Sequence, residues 1–279
     1  MTVKLVGLVA RNPSGSLASE VMNAFFRDQG LDFHYQSFSV DPPQFKEAFE
    51  GLLVLSRVGF HIGPPFRGTA LRFLHKLSKE VEFVGAVDTV AFRQGVDTGY
   101  NVQFRAVSVF IEEAQIPVNG ADCMVIGAGA AGSACVYAFL KAGARSVFIA
   151  NKTVQRAEVL ASRYQPYFKA RLVPVMLSEE ETSQVLPECQ VVMHATPVGS
   201  PELPQIYPKV VYSKIRPNAH VIDLVYRPEH TPFLVRASRF TNHIHSGLRV
   251  FGLSLALSWK LWSGQSGLGA IWRILKEMT

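Results

Sequence analysis

The segment Val125-Ile126-Gly127-Ala128-Gly129-Ala130-Ala131-Gly132 constrains this chain more than any other. An apolar strand runs into a glycine turn, and a helix of small residues follows. Gly127 permits the tight turn, Gly129 lets backbone come close to a ligand, and Gly132 lets the helix pack against the preceding strand. Ala130 and Ala131 open a helix whose first N–H groups and positive dipole end suit an anion. This is the strand–turn–helix geometry that a dinucleotide pyrophosphate needs. The next strand, Ser146 to Ala150, is expected to end beside the adenosine ribose. An acid there would accept from a 2′-hydroxyl, but the chain places Asn151, Lys152 and Thr153, with Arg156 a helical step later. Cationic residues at that point favour a 2′-phosphate, and so NADP over NAD.

A length of 279 residues allows one large domain or two ordinary ones. With 48% hydrophobic and 18% charged residues, the composition is that of a packed globular enzyme and excludes a disordered or fibrous chain. The net charge of +6 raises the question of nucleic acid. The Lys and Arg are scattered, without a basic run interleaved with aromatics, so no nucleic-acid partner is expected. Cys123, Cys135 and Cys189 show no ligand spacing, and His243 and His245 share one face of a possible strand without an identifiable third ligand. No metal is therefore expected. The apolar start, Met1 to Ala10, is too short for a membrane span and reads as a buried first strand. These features predict a cytoplasmic protein, monomeric or homodimeric, that acts on a small molecule away from membranes.

Strand and helix signals alternate along the chain. Strands are expected at Lys4–Val9, Phe33–Phe38, Gly59–Ile62, Val173–Met176, Val191–Ala195 and Val221–Val225, with short ones between Glu82 and Arg93. Helices are expected at Ser16–Gln29, Pro43–Leu53, Ala70–Lys79, Arg105–Ala114, Gln155–Tyr164, Leu248–Trp262 and Leu268–Lys276. Asp97 to Asn101 has turn chemistry, and Pro117 to Gly120 looks like a hinge into the nucleotide unit. The alternation predicts parallel sheets in two lobes with a cleft between them.

The order of short motifs resembles the shikimate/quinate dehydrogenase family along essentially the whole chain. Gly15-Ser16-Leu17-Ala18-Ser19, with Asn23 and Phe26, is similar to that family's H-S-L-S-P-x-x-H-N-x-x-F. Gly59 to Arg67 is similar to its G-x-N-V-T-x-P-x-K loop, Gly85 to Thr89 to G-A-V-N-T, and Gly99 to Gln103 to G-Y-N-T-D. Asn151-Lys152-Thr153 resembles its N-R-T clamp and Ala195 to Gly199 its A-T-P-L-G. Asp223 to Tyr226 with Thr231-Pro232, Gly247-Leu248 and Leu261 to Gly264 also match. The resemblance implies an α/β protein of two lobes: a substrate lobe of residues 1–103 with 244–279, and a Rossmann lobe of residues 104–243 that binds NADP. It implies hydride transfer between NADPH and a cyclic keto acid. It also implies that Thr196, Val225 and Gly247 join the cofactor site, and that Asn101 and Tyr226 face substrate.

The substrate half departs from the family where chemistry is done. The family's catalytic Lys falls at Arg67 and its Asp partner at Gln103. Reducing a ketone needs a proton on the nascent alkoxide. Arginine stays charged at all useful pH values and glutamine does not titrate, so the acid/base pair is absent as the family has it. The second carboxylate-binding serine is Ala18, leaving Ser16, and the Asn and Thr before the catalytic loop are His61 and Gly63. The Asn of G-A-V-N-T is Asp88, the Gln of the last helix falls at Ser254, and an Asn near the cofactor strand is His194. Asp88 could act as acid/base, pair with a cationic substrate, or bridge to Arg67. His61 could donate a proton or simply be a satisfied core histidine. Ser16 also suits a helix N-cap, and Trp259 and Trp262 on the last helix are expected to be lobe-packing aromatics. These exchanges point to an altered substrate, as in secondary metabolism, or to a non-redox protein such as a pseudoenzyme or a cyclase.

Overall fold

Val6 to Ala10 are buried without a break, as in a strand covered on both faces. The computed structural model describes residues 3–279, so Met1 and Thr2, at the head of this expected strand, lie outside the described residues. Two units divide the chain, one of Met1–Gln103 with Gly252–Thr279 and one of Phe104–Phe251.

The first unit opens with β1 (Lys4–Ala10), α1 (Ala18–Asp28), β2 (Phe33–Ser39), α2 (Phe45–Leu55) and β3 (Gly59–Ile62). It continues through β4 (Lys76–Leu77), α3 (Lys79–Val84), β5 (Thr89–Arg93) and β6 (Val96–Tyr100). Its sheet has the order β2-β1-β3-β5-β6-β4. One strand departs from the expected parallel sheet: β5 runs antiparallel to both β3 and β6. The cause is local. Gln94 and Gly95 both have positive φ, 51° and 80°, as in the two-residue hairpin turn that matches strand twist. That turn precedes the expected one, and Asp97 to Tyr100 are strand. The expected helix at Ala70–Lys79 is a short 3₁₀ turn (Thr69–Phe73) followed by β4. The helix comes later, as α3, where Val81 and Val84 bury one face and Gly85 (φ 70°) ends it.

Phe45, Phe49, Phe60 and Phe66 fill the core on one side of this sheet, with Phe45 and Phe66 stacked at 4.2 Å. On α1, Val21, Met22, Phe25 and Phe26 recur at helical spacing and are buried.

The second unit starts within α4 (Val102–Glu113) and continues through β7 (Asp122–Ile126), α5 (Ala130–Lys141), β8 (Ser146–Asn151), α6 (Val154–Tyr164) and β9 (Arg171–Met176). Then come α7 (Glu179–Val185), β10 (Val191–His194), β11 (His220–Asp223), α8 (Pro232–Ala237), β12 (Ile244–His245) and the first residues of α9 (Leu248–Ser263); the rest of α9 and α10 (Leu268–Met278) belong to the first unit. The sheet order is β12-β11-β10-β7-β8-β9 and every pairing is parallel. Counted from β7, this is the 3-2-1-4-5-6 order of a Rossmann fold.

Two boundaries differ from expectation. Residues 244–251 belong to the second unit, because Ile244 and His245 add the edge strand beside β11. Pro117 to Gly120 is a turn inside that unit: the Gly120 N–H donates to the Gly143 carbonyl at 2.8 Å. Trp259 packs within the first unit, edge-on to Phe25 and Phe33 at 5.4 and 5.1 Å.

Candidate active site

Parallel strands send the loops at their carboxyl ends to one side of a sheet, and ligands bind there. In the second unit the strand order reverses between β7 and β10, so the glycine turn after β7 meets the Ala195–Gly199 loop after β10. Gly127 has φ 119°, and a Cβ on it would stand 2.9 Å from Thr196 Cγ2. A Cβ on Gly132 would collide with the Gly127 carbonyl, whereas one on Gly129 would meet nothing within 4 Å. Turn and helix packing thus account for Gly127 and Gly132, and Gly129 leaves open backbone where a phosphate would lie. Ala130, Ala131 and Gly132 begin α5, whose first-turn N–H groups precede the i→i−4 ladder.

Asn151 ties β8 to this turn: its Oδ1 accepts from the Ala128 N–H at 3.1 Å and its Nδ2 donates to the Thr153 carbonyl at 2.8 Å. Lys152, Thr153 and Arg156 are exposed around the start of α6. Open backbone, helix N–H donors and exposed cations fit a phosphorylated dinucleotide.

His194 is fully buried and bridges two anchors. Its Nδ1 bonds Asp223 Oδ1 at 2.8 Å and its Nε2 bonds the Thr196 hydroxyl. The Asp223 carboxylate also accepts from the Thr231 hydroxyl (2.6 Å) and the Val225 N–H (3.0 Å). The loops carrying Thr196 and Val225 are therefore fixed by one buried network. Gly247 sits against the end of β11, where a Cβ would overlap the Leu224 and Asp223 backbone. Tyr226 stacks on Phe251 at 3.9 Å.

In the first unit, β1, β3 and β6 point the same way, so their carboxyl ends gather Ser16, Arg67, Asn101 and Gln103. Asp88 joins them because it precedes the antiparallel β5: the Asp88 carbonyl accepts from Ile62 N at 2.8 Å and its N–H donates to Tyr100 O at 3.1 Å. Arg67 and Gln103 are half-buried. Arg67 donates from Nη1 to Gln103 Oε1 at 2.6 Å and from Nε to the Ile62 carbonyl at 3.1 Å. Asp88 accepts the first N–H groups of α4, from Val102 and Gln103 at 2.8 Å each, and the Thr89 hydroxyl at 2.9 Å. Burial raises the Asp88 carboxyl above its ordinary range, against the opposing pull of the Arg67 charge and of those three donors. Ser16 Oγ accepts from the Ala18 N–H at 3.2 Å, at the entrance to α1. Asn101 is buried and donates to the Ala86 carbonyl at 3.0 Å. Ser254 is half-buried on α9.

His61 has both ring nitrogens engaged, Nδ1 with the Tyr35 hydroxyl at 2.6 Å and Nε2 with the Ser258 hydroxyl at 2.7 Å. Burial, and then the Arg67 charge, lower its pKa to about 3. It is a neutral, satisfied core group at useful pH rather than a store of protons. Ser258 lies 3.3 Å from the Thr89 hydroxyl. Since Asp88 as a carboxylate only accepts, the donors in this chain run from Tyr35 through His61, Ser258 and Thr89 to Asp88.

The shikimate dehydrogenase substrate-binding domain matches residues 8–90, and the shikimate/quinate 5-dehydrogenase domain matches residues 111–224. Together they span more than half of the chain. A shikimate dehydrogenase (NADP(+)) of Methanopyrus kandleri is 29% identical over 262 residues, covering 94% of this chain and 90% of that protein. The crystal structure of a shikimate dehydrogenase in complex with NADP+ superposes with TM-score 0.90 at 26% identity, covering 100% and 97% of the two chains. That of Listeria monocytogenes shikimate 5-dehydrogenase, in complex with shikimate and NAD, gives 0.88 at 25% identity, covering 98% and 96%. The chain belongs to the shikimate/quinate dehydrogenase family.

Within this member of the family, several groups had escaped sequence reasoning. Tyr35, Thr89 and Ser258 come from separate segments and meet only through sheet pairing and α9. His220, on β11, is brought beside β12. Its ring lies 4.6 Å from that of His243, and its Nδ1 is 3.1 Å from His245 Nε2. Among the described residues no group of three or more His, Cys, Asp or Glu is placed to hold a metal ion, and no helix is long and apolar enough to cross a membrane.

Proposed function

We propose that this chain is an NADP(H)-dependent oxidoreductase that moves hydride to or from a small polar substrate other than shikimate. The observation that carries this reading is the Arg67–Gln103 pair, joined at 2.6 Å at the carboxyl ends of β3 and β6. Gly127, Gly129, Gly132 and the start of α5 would hold the pyrophosphate, and Lys152, Thr153 and Arg156 the 2′-phosphate. Asn151, Thr196, Val225 and Gly247 would shape the rest of that site. When bound, the dinucleotide supplies or accepts the hydride.

On the substrate side, Arg67 orients and polarises an oxygen but keeps its protons, and Gln103 has none to exchange. Asp88 alone of these three titrates. Its cap on α4 fixes it beside β3, and it is the group proposed here for acid/base work. Ser16, Asn101, Tyr226 and Ser254 are proposed to position the substrate, with His61 holding Asp88 through Ser258 and Thr89. We assign the protein to the cytoplasm, as a monomer or homodimer, in secondary metabolism.

The test is NADPH consumption with a panel of cyclic ketones, imines and hydroxy acids. Stereospecific deuterium transfer from labelled NADPH to one product supports the reading. Tight NADP binding without transfer to any of them overturns it. That outcome would favour the second reading, a pseudoenzyme or cyclase on the same frame, which the engagement of Asp88 as a helix cap also favours. The double change Arg67→Lys with Gln103→Asp separates the histories: recovered shikimate oxidation marks a decayed site, and no gain marks a remodelled one.

A further inference from the structure

His194 has no exposed surface, and each of its ring nitrogens has a partner: Asp223 Oδ1 on Nδ1 at 2.8 Å, and the Thr196 hydroxyl on Nε2. Asp223 decides where the hydrogens lie. Its carboxylate accepts from the Val225 N–H at 3.0 Å and from the Thr231 hydroxyl at 2.6 Å. That hydroxyl in turn accepts from the Leu234 N–H at 3.2 Å. A group held as an acceptor on two sides calls for a donor on the third, so His194 carries its hydrogen on Nδ1. A neutral ring then has a bare lone pair at Nε2, and a second ring proton would bury a full charge away from water. Nε2 therefore accepts, and the single hydrogen of the Thr196 hydroxyl points to it.

Thr196 lies in the loop after β10 and is half-buried, with its methyl group against the glycine turn after β7. A Rossmann sheet takes a dinucleotide as two mononucleotide halves. With the 2′-phosphate half proposed beside β7 and β8, the loop after β10 falls to the nicotinamide half. There Thr196 Oγ1 offers lone pairs and no hydrogen. A ligand acceptor would face it unpaired, whereas an N–H or O–H donor is satisfied.

We infer that His194 is a positioning residue of the cofactor site. By taking the Thr196 hydrogen it sets that hydroxyl as an acceptor for a donor of the nicotinamide half, the carboxamide NH2 or a ribose hydroxyl. The inference rests on the reading of the second unit as an NADP site, and adds the direction of the hydrogen bond at Thr196.

Nitrogen NMR of the full-length protein, with isotopically labelled histidine, tests it first. With NADP+ bound or absent, His194 is expected to show a protonated Nδ1 and a bare Nε2. A hydrogen on Nε2, in either charge state, overturns the inference. Nucleotide titrations test it second. Thr196→Val keeps the shape and removes the oxygen, so NADP+ is expected to bind about tenfold more weakly, as for a donor left unpaired. Thr196→Ser should stay within about threefold of the unmodified protein. Adenosine 2′,5′-bisphosphate, which lacks the nicotinamide half, should bind both variants as it binds the unmodified protein.

The 3-acetylpyridine analogue of NADP+ has no amide N–H and tells the two donors apart. If Thr196→Val leaves its affinity unchanged, the donor is the carboxamide; if its affinity falls as that of NADP+ does, the donor is the ribose. Undiminished NADP+ binding by Thr196→Val overturns the inference, and so does an equal loss for the bisphosphate or an equal loss in Thr196→Ser. None of these readouts is turnover. A protein that meets them but transfers no hydride contradicts the oxidoreductase reading alone. One that transfers hydride with His194 protonated on Nε2 contradicts this inference alone.

Discussion

Arg67 and Gln103 each lack one property of a lysine and a carboxylate, the exchange of a proton near neutral pH. On the proposed reading their charge and polarity still hold a substrate oxygen, while the usual route for the proton is gone. The cofactor side has no such loss. Removing the two cations, Lys152→Ala with Arg156→Ala, should weaken NADP about 10- to 100-fold and leave NAD nearly unchanged, by the size of charge-assisted phosphate contacts. Paired titrations of the two nucleotides measure this, and equal losses would contradict the 2′-phosphate assignment. Gly132→Val should cost about 2 kcal/mol or more, because any Cβ strikes the Gly127 carbonyl; urea unfolding reads it directly. At this scale the glycines and Asn151 were legible in the sequence, since each answers a local demand of turn or helix packing. The amide orientation of Gln103 was not, because it depends on a partner in sequence 36 positions away.

Among the elements, α4 shows how a fold recruits a site residue. Its first two N–H groups close on Asp88, so the carboxylate caps the helix that carries Gln103. Asp88→Ala should therefore destabilise the first unit by about 1–2 kcal/mol, the usual cost of a lost cap, besides its effect on turnover; chemical denaturation is the measurement. Most helices and parallel strands could be read from apolar periodicity alone. The misses cluster between Ala70 and Tyr100. There the elements are two to six residues long, and the hairpin turn at Gln94-Gly95 decides the strand direction. Short elements carry too few periodic positions to choose between helix and strand. The edge strand β12 was legible only as a possible strand around His243–His245, and its pairing with β11 moves residues 244–251 into the second unit.

The whole molecule answers to pH through groups that no local pattern marks. His61 has a pKa of about 3 in the folded protein, against an ordinary 6.5. Between those values the unfolded chain binds a proton that the folded one refuses, so stability falls as pH drops through that window. His245, lowered to about 4 by burial and then by His220 and His243, acts in the same direction. Unfolding midpoints should decline from neutral pH toward about pH 4, and His61→Gln should flatten that decline. An unchanged acid slope would show that the His61 environment is not the cause.

The central claim is that this dehydrogenase-family frame retains a dinucleotide site but no longer has the proton-exchanging pair that shikimate requires. The most direct measurement is the steady-state rate of NADP+-dependent shikimate oxidation by the unmodified protein. The account predicts turnover at least about a hundredfold below the ~10 s⁻¹ of an ordinary enzyme, by the usual contribution of acid–base catalysis. Turnover at about that ordinary rate would contradict it.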